Sequence, residues 1–159
     1  MDELLKLLKR DARYTPAELA DMLDVPEDEI RSKITEYEDC GVIRGYQALL
    51  NEDQLELDRV RAIIEVKMKP ERGGGYDNTA ALIGKFPEVD SLFLVSGAFD
   101  LLVFVKGRTL QEVAGFVNER LATIDGVTST ATHFTLKTYK DQGVLMHTEE
   151  KHERLQVSP

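Results

Sequence analysis

The residues whose chemistry best suits a small polar ligand lie together in one predicted turn, Ser96-Gly97-Ala98-Phe99-Asp100. Gly97 allows a positive φ and a close approach of the backbone to a ligand. The Asp100 carboxylate can accept hydrogen bonds from an ammonium group, and exposed backbone N–H groups can bind a carboxylate. Such a turn could bind a small molecule that carries a cationic and an anionic group. The structural alternative is that Asp100 caps the backbone of its own turn, as Asp commonly does.

Two threonines extend this candidate ligand site. Because side chains alternate along a strand, Thr130 and Thr132 lie on one face of the last predicted strand and His133 lies on the other. The two hydroxyls could contact a ligand. The alternative is that these residues only stabilise the strand, since β-branched Thr is favoured there.

A second set of polar residues lies on the third predicted helix and suits a DNA duplex. The N-terminal residues of such a helix can read base edges, while basic residues contact phosphates. The candidate DNA-contacting residues are Arg31, Ser32, Lys33 and Thr35. The acids Glu27, Asp28 and Glu29 precede them; the helix dipole stabilises these acids, but they repel phosphates. These acids leave open an alternative in which the helix contacts protein.

No residues have the spacing of a catalytic or metal-binding site. His147 and His152 are five residues apart among glutamates, which places them on no single helical face. The glycines at 73–75 lack the spacing and the Lys of a phosphate-binding loop. We therefore expect no catalytic residue, no cofactor and no metal, and we expect that the chain is not an enzyme.

Residues 1–44 carry helical patterning throughout, which positions the candidate DNA-contacting residues on a three-helix domain. Thr15-Pro16-Ala17-Glu18 predicts a helix start with a capping box. Asp24-Val25-Pro26 interrupts that helix, because a residue before proline avoids the helical conformation. Three helices with a tight turn before the third predict a helix-turn-helix. We expect Cys40 to be buried at the end of the third helix.

The remaining residues alternate between strand and helix patterns in the order βαββαβ. Ala62, Ile64, Val66 and Met68 recur at every second position and predict a half-buried first strand. A helix face from Leu110 to Ile124 and a long Thr-rich strand over residues 128–139 complete the pattern. This order predicts a ferredoxin-like antiparallel sheet that two helices cover on one face.

The predicted fold class is therefore α+β, with an N-terminal (winged) helix-turn-helix and a C-terminal ferredoxin-like βαββαβ domain for ligand binding and assembly. Val42-Ile43 and Tyr46 could form the wing as a short strand. The predicted divisions are a helix-turn-helix domain at 1–44, a linker at 45–58, the βαββαβ domain at 59–140 and a polar tail at 141–159.

Composition narrows the class of protein further. The 159 residues include 29 acids and 20 bases, which gives a net charge of −9. The excess is densest at the start of the chain, since residues 1–50 hold 12 acids and 7 bases. No apolar run is long enough to span a membrane. A single cysteine excludes an intrachain disulfide and suits a reducing compartment, so we expect a cytoplasmic protein.

Several stretches in order resemble the leucine-responsive/asparagine-regulator (Lrp/AsnC) family of transcription regulators. The likeness runs from about Leu4 to Tyr139. The stretches that carry it are Leu7-Leu8-Lys9-Arg10-Asp11-Ala12-Arg13, Glu18-Leu19-Ala20, Ile30-Arg31-Ser32-Lys33-Ile34, Glu38-Asp39-Cys40-Gly41-Val42-Ile43-Arg44-Gly45-Tyr46 and Val95-Ser96-Gly97-Ala98-Phe99-Asp100.

The resemblance implies a DNA-binding transcription regulator that responds to an amino acid. It implies dimers that form through sheet faces, assembly into octamers or larger rings, and effector binding near the Gly-x-x-Asp turn. An alternative is an effector sensor or protein-interaction module on the same fold, which the acidic third helix favours. A third hypothesis is a tetrapyrrole decarboxylase-like enzyme of similar architecture. For the active site of such an enzyme the chain offers only His133 in the sheet.

Overall fold

The computed structural model describes residues 2–55, 59–70 and 75–146. The chain divides into two compact units, Met1–Leu50 and Asn51–Pro159. Each unit has its own hydrophobic core, and each is described separately below. Among the described residues, no helix is long and apolar enough to cross a membrane.

The first unit consists of three helices, α1 (Glu3–Arg10), α2 (Pro16–Leu23) and α3 (Glu27–Asp39). The predicted capping box is confirmed at the start of α2, where the Glu18 N–H donates to Thr15 Oγ1 at 3.2 Å and the Thr15 N–H donates to Glu18 Oε2 at 2.8 Å. Asp24 ends α2 with φ +54, a left-handed conformation that Asp tolerates, and this makes the turn into α3 tight.

The core of the first unit is small and comes from all three helices. Leu4, Leu19, Ala20 and Ile30 are buried. A tertiary hydrogen bond adds to this packing, because the Tyr37 hydroxyl donates to the Asp2 carboxylate. That bond lowers the pKa of Asp2 and raises the pKa of Tyr37. All three predicted helices thus contribute to the core.

The exit from α3 differs from the sequence expectation in two ways. Cys40 is exposed rather than buried, because it lies in the C-cap of α3 on the solvent side of the unit. Residues 42–50 contain no strand, so Val42-Ile43 and Tyr46 do not form a wing strand. Tyr46 instead returns to α3, where its hydroxyl donates to Glu38 Oε1 at 2.9 Å. The rest of the predicted linker includes a 3₁₀ turn, Glu52–Gln54, and residues 56–58, which lie outside the described residues.

The second unit is built on one antiparallel sheet of four strands. The strands are β1 (Val60–Met68), β2 (Val89–Leu94), β3 (Leu101–Gly107) and β4 (Val127–Phe134), in the spatial order β2-β3-β1-β4. The connecting helices are α4 (Asp77–Ile83), between β1 and β2, and α5 (Leu110–Phe116), which a π-helical turn, Val117–Leu121, prolongs before β4. The predicted βαββαβ order and ferredoxin-like sheet are confirmed.

One face of this sheet is buried against the two helices. Ala62, Ile64, Val66 and Met68 of β1 all lie in the core, as their alternation predicts. Leu110, which the sequence pattern assigns to the same helix face as Val113, is 52% exposed. Its position explains this, since it directly follows the Thr109 N-cap and precedes the first turn that packs on the sheet.

The opposite face of the sheet, here called the open face, carries apolar side chains that the two helices of this unit do not cover. Ile63, Leu102 and Phe104 are half-buried, and Phe93 is 52% exposed. Phe93 and Phe104 pack edge to face with their ring centroids 5.8 Å apart. At the edge of this face, His133 Nε2 lies 3.4 Å from Glu65 Oε1. This face therefore combines apolar residues with charged ones, since Glu65 lies on the inner strand β1 beside Ile63 in the same alternation.

The described part of the predicted tail contains more regular structure than the sequence indicates. The last strand of the sheet stops at Phe134 instead of Tyr139, although the Thr135 N–H still donates to the Arg61 carbonyl at 2.8 Å. Residues at the predicted boundary between the βαββαβ domain and the polar tail form a hairpin of two short strands, β5 (Lys140–Asp141) and β6 (Val144–Leu145). Met146 is buried, and its carbonyl accepts from the Asn51 amide at 2.6 Å. The rest of that tail, with His147 and His152, lies outside the described residues.

Candidate functional site

The turn between β2 and β3 is fixed in place by Asp100. Its Oδ2 accepts a hydrogen bond from the Met68 N–H at 2.7 Å, and its own N–H donates to the Val66 carbonyl at 3.0 Å. Its carbonyl accepts from the Val95 N–H at 2.8 Å, which closes the turn. The carboxylate thus accepts its backbone hydrogen bond from β1 and not from its own turn. It joins the turn to the end of β1.

A residue that sequence reasoning missed completes this arrangement. The Tyr76 hydroxyl donates to Asp100 Oδ1 at 3.1 Å. This bond to the carboxylate is the main cause that raises the pKa of Tyr76 above its usual value, and desolvation adds to it. Each carboxylate oxygen therefore accepts one hydrogen bond, which leaves about two of its four lone-pair positions for other donors. Asp100 acts here first as a positioning residue.

The tip of the turn presents its backbone to solvent. Ser96, Gly97 and Ala98 are exposed, while Phe99 and Asp100 are half-buried. Gly97 has a φ of +154°, and a Cβ placed there would meet no atom within 4 Å. The glycine is thus required by backbone conformation rather than by a close neighbour. The turn is therefore held at its base by Asp100, and its tip presents backbone N–H and C=O groups to solvent.

The two threonines lie on the helix-covered face of the sheet, at its β4 edge. Thr130 is opposite Val66 and Thr132 is opposite Ile64 in the antiparallel register, and both are half-buried. Leu101, which directly follows the turn, is opposite the same Val66 from the other side. Thr130 and the turn therefore share one end of the sheet, two strand spacings apart, or about 10 Å. Thr132 lies two residues further along β4, away from the turn.

The four candidate DNA-contacting residues lie on α3, but each interacts within the helix. Arg31 Nε donates to Glu27 Oε1 at 2.9 Å, and Lys33 Nζ lies 3.2 Å from Glu29 Oε1. Ser32 Oγ donates to the Asp28 carbonyl at 2.8 Å, and Thr35 Oγ1 donates to the Arg31 carbonyl at 3.0 Å. Arg31, Ser32 and Thr35 are exposed, whereas Lys33 is half-buried.

The start of α3 is acidic and has no side-chain cap. Pro26 occupies the N-cap position and makes no capping hydrogen bond with its side chain, and the first turn contains Glu27, Asp28 and Glu29. These acids interact favourably with the helix dipole, which partly replaces the missing cap. Two of them are also the ion-pair partners of the helix's cations.

The described residues contain no group of three or more His, Cys, Asp or Glu side chains that could hold a metal ion. The histidine among them, His133, lies on the open face beside Glu65, whereas Thr130 and Thr132 lie on the helix-covered face.

A three-helix unit with a tight turn before α3, followed by a ferredoxin-like unit, defines a helix-turn-helix protein with an appended α+β domain. A family model described as the Lrp/AsnC ligand binding domain matches residues 61–145. The chain is 38% identical to the HTH-type transcriptional regulator YugG of Bacillus subtilis (strain 168), an alignment that covers 99% of this chain and 95% of the relative. It is 32% identical to the leucine-responsive regulatory protein of Rhizobium meliloti (strain 1021), over 87% of this chain and 88% of that one. The chain belongs to the Lrp/AsnC family of transcription regulators, as its motifs predict.

Solved structures support the same assignment. A transcriptional regulator of Neisseria meningitidis, crystallised as a complex with L-Met, superposes with a TM-score of 0.69 at 27% identity, covering 89% of this chain and 93% of that one. The AsnC protein of E. coli superposes with a TM-score of 0.65 at 25% identity, covering 87% and 93%. Both units of the chain are therefore represented in proteins of the family.

Proposed function

We propose that this protein is a DNA-binding transcription regulator whose DNA affinity or assembly changes when it binds a small molecule, an amino acid being the simplest candidate. The observation that carries the proposal is that the chain aligns over 99% of its length with an HTH-type transcriptional regulator. The match of residues 61–145 to a ligand binding domain supports the second half of the proposal.

The proposed effector site is the β2–β3 turn with the neighbouring strand edge. The solved relative that binds L-Met makes an amino acid the natural first ligand to test. Exposed backbone N–H groups of the turn suit its carboxylate, and the remaining lone pairs of Asp100 suit its ammonium group. The proposed effector residues are Ser96, Gly97, Ala98, Phe99, Asp100, Thr130 and Thr132.

The proposed oligomer is a homodimer that forms through the open face, with higher assemblies such as an octamer built from dimers. Ile63, Leu102 and Phe104 of the open face would become buried against a second copy. Contiguous apolar side chains that remain accessible on a protein surface are typical of interaction sites. A ligand shifts such an assembly only if it binds one state better than another, which a site near a subunit boundary provides.

The proposed DNA reader is α3, through Arg31, Ser32, Lys33 and Thr35. Arg31, Ser32 and Thr35 share its exposed surface. Several such helices in one oligomer would bind a duplex together, and linked binding increases affinity without new contacts. This matters here because α3 contains six acids and only two bases.

A thermal-shift screen with the individual amino acids tests the effector half of the proposal. A ligand present at about 100 times its dissociation constant stabilises the folded state by roughly 2.7 kcal/mol, which shifts the melting temperature measurably. We expect at least one amino acid to stabilise the wild-type protein. We expect a Gly97→Val variant, whose branched side chain opposes the positive φ, to lose that response. Absence of any response would contradict the proposed effector class.

The alternative, a protein-interaction module, is favoured by one observation, the pairing of both cations of α3 with acids of the same helix. A stable complex with another protein across the exposed residues of α3, together with no protection of any DNA fragment from nuclease, would support this alternative and contradict the proposed reader.

A further inference from the structure

The cations of the first unit divide into two groups. Four are paired with acids: Lys6 with Glu3, Arg13 with Asp11, Arg31 with Glu27 and Lys33 with Glu29. Within the described part of this unit, Lys9, Arg10 and Arg44 form no ion pair. The two cations in the proposed DNA reader thus belong to the paired group.

Both pairs of α3 have the same geometry. The acid precedes its cation by four residues, the order that a helix favours because it agrees with the helix dipole. The side chains remain accessible, with Arg31 60% and Glu27 41% exposed. Exposed pairs of this kind are weak, so another anion can displace the glutamate. They are therefore exchangeable contacts rather than rigid ones.

Pairing changes what these cations can contribute to DNA binding. Affinity for any duplex, regardless of sequence, comes mainly from cations that neutralise phosphates and release counterions. A cation that is already neutralised by a carboxylate of its own helix contributes less to this sequence-independent affinity. When a phosphate displaces the glutamate, the freed carboxylate remains close and repels the duplex.

We propose that Glu27 and Glu29 are specificity-determining residues that mask Arg31 and Lys33 and so suppress binding to non-specific DNA. A selected site supplies base-edge hydrogen bonds that compensate for breaking the two pairs, whereas a random sequence offers only phosphates. The inference rests on the proposed function, since it assumes that α3 meets a duplex.

The test compares two double variants of the full-length protein. Glu27→Gln/Glu29→Gln removes the two masking charges. Glu36→Gln/Asp39→Asn is the matched control, because it removes the same charge from exposed positions of the same helix that form no ion pair within the described residues. The probes are a fluorescent duplex selected from genomic fragments and a scrambled duplex of the same length. Fluorescence anisotropy is measured over a range of salt concentrations, and far-UV circular dichroism verifies that each variant keeps its helices.

We expect Glu27→Gln/Glu29→Gln to bind the scrambled duplex about 10-fold more tightly than wild type. Its plot of log affinity against log salt should be steeper by about 1.8, since each phosphate contact contributes about 0.9. Affinity for the selected duplex should rise less, so the specificity ratio falls. Adding Arg31→Gln/Lys33→Gln to this variant should abolish the gain, and the control should change the salt slope little.

An equal gain in the control would show that only bulk charge matters, and would overturn the inference while leaving the proposed function intact. A wild-type protein with no preference for any selected duplex would instead count against the proposed function. In that case the salt slope on scrambled DNA still decides the masking: a steeper slope in Glu27→Gln/Glu29→Gln supports it, and an unchanged slope overturns it.

Discussion

Asp100 Oδ1 lies 3.1 Å from the Tyr76 hydroxyl, while the other oxygen of the same carboxylate accepts the Met68 N–H. One side chain thus links the β2–β3 turn, the last residue of β1 and the residue that precedes α4. The turn is fixed by the protein itself before any ligand arrives. Its backbone groups are therefore preorganised, which reduces the entropy that binding must overcome.

Removal of the Asp100 carboxylate should destabilise the second unit. Asp100→Ala leaves the Met68 N–H and the Tyr76 hydroxyl without their acceptor, and hydrogen bonds to a charged group contribute about 2 kcal/mol. We expect a loss of about that size in the free energy of unfolding, measured with urea. Asp125→Ala, which changes an exposed acid in another turn, should stay within about 0.5 kcal/mol of wild type. Equal stability of the two variants would contradict the linking role of Asp100.

The Tyr76 phenol should ionise at higher pH than an ordinary tyrosine. Its folded-state pKa is raised above 10.0, so the hydrogen bond stabilises the fold below that pH and is lost as pH rises through the folded-state pKa. NMR titration of ring-labelled tyrosines should show this, and Asp100→Asn should lower the Tyr76 pKa toward 10.0. A Tyr76 titration identical in wild type and Asp100→Asn would argue against the contact.

The capping box of α2 should contribute measurably to the stability of the first unit, and a single substitution tests this. Thr15→Ala removes the oxygen that accepts from the Glu18 N–H, and a lost N-cap of this kind costs about 1 kcal/mol. Thr15→Ser keeps the acceptor and should be close to wild type in a thermal unfolding experiment. If serine and alanine destabilise the first unit equally, the effect comes from the lost methyl group and not from the cap.

The open face should control self-association. Leu102→Glu places a charge among Ile63, Phe104 and Phe93, where a second copy would have to desolvate it. We expect this variant to sediment as a monomer at concentrations where wild type is a dimer or larger. Gln111→Glu adds the same charge to an exposed position of α5 and should keep the wild-type mass. If the Leu102→Glu protein assembles like wild type, the interface does not lie on the open face.

The features predicted correctly from sequence are those that local chemistry determines. Thr15 and Glu18 are three residues apart, so their reciprocal capping follows from helix geometry alone. The alternation of Ala62, Ile64 and Val66 likewise fixes which face of β1 is buried. The Arg31–Glu27 pair has the i,i+4 spacing, and the sequence therefore contained the signal that the cation is neutralised within its own helix.

The features that sequence reasoning missed depend on distant partners. Tyr76 precedes Asp100 by 24 residues, and only the folded sheet brings them together. The last strand was predicted to reach Tyr139, but its pairing with β1 ends at Phe134, opposite Ala62. The exposure of Cys40 depends on how the C-cap of α3 is placed against the other helices. None of these can be derived from spacing within one segment.

The most direct test of the central proposal is the ratio of wild-type affinities for a selected genomic duplex and for a scrambled duplex of the same length, measured by fluorescence anisotropy at one fixed salt concentration. Specific regulators bind their sites on the order of 10³-fold or more tightly than random DNA. We predict a ratio of that order, and we predict that the amino acid identified by thermal shift changes it. Equal affinities for the two duplexes, with and without that amino acid, would contradict the proposal.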